Sequence, residues 1–227
     1  MSNILSNLDW KILTDALLRI VPALLCLTIH ELSHGFVAYK LGDNTAKDMG
    51  RLTLNPIKHI DIAGLVMMAL FRFGWAKPVP VNMHNFKNPK RGMALTALAG
   101  PLSNFILAAL ILLIFGVVYA FNAFNTSAGW QTVRELLIST AWMSVALGIF
   151  NLIPIPPLDG SKVLFSLLGD EQYMKLMRVE KYGMIILMIV IVTDVLDKTL
   201  GVATSWVFDK LFYIAESVMM LIYPLVR

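Results

Sequence analysis

The stretch Thr28-Ile29-His30-Glu31-Leu32-Ser33-His34-Gly35 sets three ionisable side chains in a segment that is otherwise almost wholly apolar from Ile20 to Val37. In hydrocarbon, such groups are costly unless they are paired or face a polar cavity, so a fold that tolerates them must bring partners to them. The rest of the chain says that the surroundings are hydrocarbon. Of its 227 residues, 57% are hydrophobic and only 15% charged, with a mean hydropathy of +0.70. A soluble domain would be nearer a quarter charged, so the composition predicts an integral membrane protein. No linker-like or low-complexity stretch divides the chain, which reads as one membrane domain over 1–227. Asp9, Asp15 and Arg19 interrupt the start, and no small-residue cleavage site follows, so no signal peptide is expected.

Hydropathy and punctuation predict an α-helical polytopic membrane protein of about five membrane helices. The first runs from about Trp10 to Leu41, with Pro22 inside it and Gly42 as its C-cap. Residues 43–91 are different in kind. Apolar Ile62–Leu70 is too short to span a bilayer and suits a re-entrant or interfacial element. The pieces on either side, around Gly50–Pro56 and Gly74–Asn82, read as short β-strands, because Thr and Val alternate with turn residues and Pro bars helix. Further helices are expected over Gly92–Asn122, Thr132–Asn151, Tyr182–Val195 and Val202–Val226. A proline-rich turn and a short polar helix occupy Leu152–Asp170. Nine Lys and Arg lie from Lys40 to Arg91, four from Ile153 to Lys181 and none in Ala123–Gln131. Basic loops stay cytoplasmic, so 40–91 and 153–181 are predicted to share the cytoplasmic side. The end of the first helix and the proline-rich turn then meet there.

Helical spacing sets His30 and His34 one turn apart on one face, where both imidazoles reach a single metal ion. Glu31 stands beside them to take a proton from water. A hydrolytic zinc site needs a third protein ligand and an open position. Cys26, the one cysteine, reads as a small hydrophobe and excludes a Cys-rich cluster. The third ligand is sought on the cytoplasmic side of a later helix. Asn151-Leu152-Ile153-Pro154-Ile155-Pro156-Pro157-Leu158-Asp159-Gly160 supplies Asp159, after a rigid Pro-Pro pair and at the start of a short helix. His59 and His84 read as surface or interface histidines, and Arg51 as structural. Lys87, Lys90 and Arg91 read as a positive-inside signal in contact with anionic lipid.

Taken together, His30-Glu31-Leu32-Ser33-His34 and the Asn151–Gly160 run resemble the site-2 protease family of intramembrane zinc metalloproteases. Gly50–Pro56, Phe73–Asn82 and Ala99–Asn104 resemble the same family, so that the likeness covers roughly residues 20 to 170. It implies proteolysis of a transmembrane substrate within the bilayer. One Zn2+ per chain would be held by His30, His34 and Asp159, with Glu31 as base and Asn104 as a candidate to meet the oxyanion. Gly50, Arg51, Leu52, Thr53, Leu54 and Asn55, with Val79, Val81 and Asn82, would align the substrate as an added strand. The catalytic core would be about 20–170, followed by C-terminal membrane helices over about 180–226. The expected location is a multi-pass position in a prokaryotic plasma membrane, with the active site toward the cytoplasm. The expected partners are a transmembrane protein or peptide and the bilayer, without nucleic acid; the oligomeric state is left open. Two departures from the family's other branches stand out: no PDZ-like insertion and no C-terminal nucleotide-binding module are expected. Two other classes fit the same ligands. One is a non-catalytic scaffold with a structural metal, against which Glu31 weighs. The other is a metal or proton transporter, against which the rigid Pro-Pro-Leu-Asp-Gly turn weighs.

Overall fold

The computed structural model describes residues 10–64, 75–122, 127–193 and 195–226. Eight α-helices can be followed among them. They are α1 (Trp10–Lys40), α2 (Thr45–Asp48), α3 (Pro89–Asn122), α4 (Ala128–Asn151), α5 (Asp159–Ser166), α6 (Asp170–Val179), α7 (Gly183–Val192) and α8 (Asp197–Val226). Short 3-10 turns cover Pro56–His59, Met83–Asn85 and Glu180–Tyr182. Three helices hold a stretch long and apolar enough to cross a membrane: Ile20–Lys40 of α1, then α3 and α4. The two expected after them differ. Helix α7 is apolar but has 10 residues, about 15 Å at 1.5 Å per residue, half of a bilayer core. Helix α8 has 30 residues but carries Asp197, Lys198, Asp209, Lys210 and Glu216.

Local chemistry explains the helix ends. Helix α1 runs unbroken through Pro22 and stops at Gly42, whose φ of +107° favours glycine. There Gly42 N–H donates to the Tyr39 carbonyl at 3.1 Å and Asp43 N–H to that of Ala38 at 2.9 Å, the pattern of a Schellman end. Helix α3 opens with Pro89 at its first position, where no N–H is needed, and Asn88 Oδ1 caps the Arg91 N–H at 3.0 Å. Ser127 Oγ caps α4 at the Trp130 N–H.

Helix α3 is the axis of the molecule and packs against α1, α4, α5 and α8. Its core side carries Ala108, Leu112 and Phe115, which meet Ala141 and Val145 of α4 and Ala215 of α8. Small residues at these contacts let the helices approach, as membrane helix packing requires. At the opposite end of α3, its first half lies between α1 and α5.

Between α1 and α3, the expected β-segment is reduced, among the described residues, to one antiparallel bridge between Ile60 and Ala76. The expected re-entrant piece falls largely on 65–74, outside the described residues. Gly50–Asn55 is a turn in which several backbone donors are already in use. Arg51 N–H bonds to the Ala46 carbonyl at 2.8 Å, Thr53 N–H to that of Arg51 at 3.0 Å, and Asn55 N–H to Thr53 Oγ1 at 3.2 Å. Lys77–Asn82 is extended but carries Pro78 and Pro80, which have no N–H to give a ladder.

Candidate metal centre

Helix α1 brings His30 and His34 onto the side facing α3, and α5 presents Asp159 from its first turn. His30 Nε2 and His34 Nε2 each lie 3.1 Å from Asp159 Oδ2, and all three residues are buried. Asp159 is the first residue of α5, after Leu158 in the capping position, whose side chain makes no capping bond. The Asp159 carboxylate faces the two imidazoles. A cis peptide joins Pro156 to Pro157 in the turn before it.

The three ligand atoms lie within 4.8 Å of one another. Two ligands about 2.0–2.1 Å from a tetrahedral zinc are about 3.3–3.4 Å apart, close to the His–Asp separations here. Asp159 Oδ2 is buried and has no hydrogen-bond partner. Three lone-pair donors that converge in this way suit a cation among them, and a two-imidazole, one-carboxylate set suits zinc.

The far side of each ring is also fixed. His34 Nδ1–H donates to the Thr96 carbonyl of α3 at 2.7 Å, which leaves Nε2 as the ligand atom. His30 Nδ1 lies 3.1 Å from the carboxamide of Asn104, whose Oδ1 is otherwise unpartnered. With the carboxamide turned over, a change that leaves its outline unaltered, Oδ1 accepts from Nδ1–H and frees the Nε2 of His30. Ser144 of α4 holds Asn104 in turn, donating to its backbone carbonyl at 2.8 Å. Gly100, one turn before Asn104, makes room for the rings. A Cβ there would come within 2.5 Å of His34 Nε2 and 2.6 Å of His30 Cε1.

In front of the ligands is a cavity of about 310 Å3, walled by Glu31, Val79, Val81, Thr96, Asn151 and Lys162 among others. Glu31 Oε2 accepts a hydrogen bond from Val79 N–H at 2.8 Å, which fixes the carboxylate at the cavity edge. Of the residues expected to align a substrate, Val79 and Val81 line this cavity. Gly50–Asn55 does not line it and instead supports the segment that does. Arg51 Nη2 donates to the Lys77 carbonyl at 2.8 Å, and the Leu52 side chain sits beside Val79 over Gly35. Asn82 is also off the cavity, with its N–H on Asp43 Oδ2 at 2.7 Å. Asn104 sits behind His30, fully buried, and not on the cavity wall. His59, expected at a surface or interface, is buried at an internal contact, with Nε2 2.9 Å from the Thr53 carbonyl.

Asn151, Lys162 and Thr96 are site residues that sequence reasoning passed over. Lys162 had a readable signal, three residues after Asp159 on the same helix face. Asn151 closes α4 and opens the proline-rich turn, but nothing in its side chain distinguishes a wall residue from a helix end. Thr96 acts through its main-chain carbonyl, which any residue type would supply.

Comparison with known proteins agrees with this geometry. The profile of Peptidase family M50 matches residues 114–193, the part of the chain that holds Asp159. "Putative zinc metalloprotease YwhC" of Bacillus subtilis is 38% identical over 174 residues, covering 77% of this chain and 80% of that protein. "Putative zinc metalloprotease Rip2" of Mycolicibacterium smegmatis is 29% identical over 197 residues, covering 85% of this chain and 73% of that protein. "Zinc metalloprotease MJ0392" of Methanocaldococcus jannaschii is 28% identical over 145 residues, covering 64% of this chain and 32% of that protein. No solved structure matches the chain. With motif, ligand geometry and relatives in agreement, the chain belongs to peptidase family M50, the site-2 protease family, and is a metalloendopeptidase.

Proposed function

We propose that this protein hydrolyses peptide bonds of transmembrane substrates inside the bilayer, with zinc held by His30, His34 and Asp159. The observation that carries the reading is the convergence of those three ligand atoms beside Glu31 at membrane depth. His30 lies ten residues before the end of α1, roughly 15 Å along the helix axis. A peptide bond cut there belongs to a chain that is itself in the membrane. Lys and Arg counts support a cytoplasmic opening of the cavity, and α8 packs on α3 and α4 in the helical bundle.

When bound, zinc supplies the acidity that makes water a nucleophile near neutral pH and the polarisation of the scissile carbonyl. The chain's own groups do the rest. Glu31 Oε2 is tied to Val79 N–H, so Oε1 is the atom that takes a proton from the attacking water. The water oxygen bonds to the carbonyl carbon, the C–N bond breaks, and Glu31 Oε1 returns the proton to the leaving nitrogen. Thr96 and Asn104 keep the two imidazoles oriented throughout, so Asn104 acts through His30 and does not meet the oxyanion. Asn151 and Lys162 are the polar side chains on the wall toward which the developing negative charge can turn.

A substrate helix hides its peptide bonds and must unwind to be cut. Val79–Asn82 supports docking as an added strand, with a particular polarity. Val79 N–H is taken by Glu31, and Pro78 and Pro80 have no N–H, so the segment offers mainly carbonyl acceptors to the unwound stretch. The apolar Val79 and Val81 side chains favour apolar substrate side chains. The test is cleavage of a labelled membrane-peptide library by the purified protein in lipid. Cleavage that a chelator abolishes and zinc restores is expected. Metal-ion flux with no cleavage of any peptide would favour transport and remove the reading.

A further inference from the structure

Away from the metal centre, the end of α1 and the start of α3 enclose a second concavity of about 410 Å3. Its rim carries the cations Lys40, Lys87 and Arg91, and its apolar lining is Leu41, Phe86 and Leu95. Among the described residues none of the three cations is in an ion pair; Lys40 Nζ lies 5.4 Å over the Phe36 ring. Among the described residues, no acidic side chain lines the concavity. Phe86 is buried and closes directly on α3, because a Cβ at Gly92 would meet its ring at 2.5 Å. Phe36, one turn before Lys40, and Leu95, one turn after Arg91, are 52% and 42% exposed, so apolar surface runs from the basic rim along both helices.

We propose that this concavity is a binding site for one anionic phospholipid. Three cations converge where two spanning helices leave the membrane, which matches a headgroup phosphate at the level of the bilayer surface. The exposed Phe36 and Leu95 faces then receive the acyl chains. A zwitterionic headgroup would bring its own positive charge to the same rim and is disfavoured. Such a lipid joins the end of α1, six residues beyond His34, to the start of α3, five residues before Thr96 and nine before Gly100. It therefore clamps the two helices that hold the imidazoles. The proposal rests on the membrane placement of α1 and α3 and not on the peptidase reading, so each can fail alone.

The test is native mass spectrometry of the full-length protein released from vesicles of phosphatidylcholine containing a minor fraction of phosphatidylglycerol. The comparison is wild type, Lys87→Gln/Arg91→Gln, and a Lys47→Gln/Lys58→Gln control of equal charge change outside the concavity. Wild type and control are expected to retain one phosphatidylglycerol. The Lys87→Gln/Arg91→Gln protein should bind it roughly 25-fold more weakly, about five-fold per cation, while still eluting as a folded species with its metal content unchanged. Equal retention by all three proteins would overturn the proposal, as would equal loss in the control pair. Inorganic phosphate that displaces the lipid at low millimolar concentration would also overturn it, since the site would then read a phosphate group alone.

Discussion

His30 and His34 suit the proposed role of ligands because of what stands behind them. The Thr96 carbonyl fixes the His34 ring, the Asn104 carboxamide fixes the His30 ring, and both partners belong to α3. Gly100 lies between these partners on the same helix and touches both rings. Gly100→Ala is therefore expected to push the imidazoles apart while leaving α3 intact, since Ala favours helix over Gly. Zinc affinity should fall about 10–100-fold, the range for disturbed ligand support, measured by competition with a chromophoric chelator. Unchanged affinity would mean that the rings are not held as described. At this scale the sequence was most readable where a side chain carries the chemistry. The expectation for the two histidines, Glu31 and Asp159 came from residue type and position, and the fold brings these four side chains to one cavity. The Ala99–Asn104 run was legible as part of the family resemblance, but not that Gly100 stands against both imidazoles. Asn104 was legible as a site residue, yet its contact with His30 required the fold.

Among the elements, Lys77–Asn82 was the hardest to read. Its Val residues set among turn residues and prolines suggested a strand, but while Lys77 N–H pairs with the His59 carbonyl, Val79 and Asn82 turn to side chains of α1 and of the turn after it. Val79 N–H goes to Glu31, and Asn82 N–H goes to Asp43. A carboxylate that substitutes for a neighbouring strand leaves no periodic trace. Asp43 is the hub of this region, fully buried, and also accepts from Thr45 Oγ1 at 2.5 Å, Thr45 N–H at 3.1 Å and Asn85 Nδ2 at 2.7 Å. Burial would raise its pKa, but these donors outweigh that and hold it below the ordinary carboxylate value. Asp43→Ala leaves buried donors unpaired and should destabilise the protein by about 2–3 kcal/mol, read as a lowered Tm in detergent at neutral pH. A folded pKa below the unfolded value of about 3.9 gives stability that is present above pH 4 and lost as pH falls through the folded value. The Tm gap between wild type and Asp43→Ala should thus be constant from neutral pH to about pH 5 and narrow below about pH 4. A gap that widens in acid would contradict the ionised, hydrogen-bonded Asp43.

For the whole molecule, α3 links the site to the bundle. One end supports the histidines and the other packs on α4 and α8. Gly116 lets α8 close on α3, since a Cβ there would meet the Ala215 carbonyl at 2.8 Å. Phe115, Phe208 and Phe212 stack around the same contact, with Trp142 of α4 on Phe208. Gly116→Leu should lower stability by about 1–3 kcal/mol through overpacking, measured as a drop in Tm, with zinc stoichiometry intact in the folded fraction. The three helices long and apolar enough to cross a membrane were legible from hydropathy because hydrocarbon demands long apolar runs. The C-terminal pair was less so, because a 10-residue apolar helix and a longer charged one satisfy that demand only in part. The central claim is that one centre, His30, His34 and Asp159, holds the metal while the adjacent Glu31 moves the proton. Zinc content and cleavage rate measured together on purified Glu31→Gln in lipid test it most directly. One zinc per chain with cleavage reduced by about a thousand-fold or more is the predicted result. Wild-type cleavage by a fully zinc-loaded Glu31→Gln protein would contradict it.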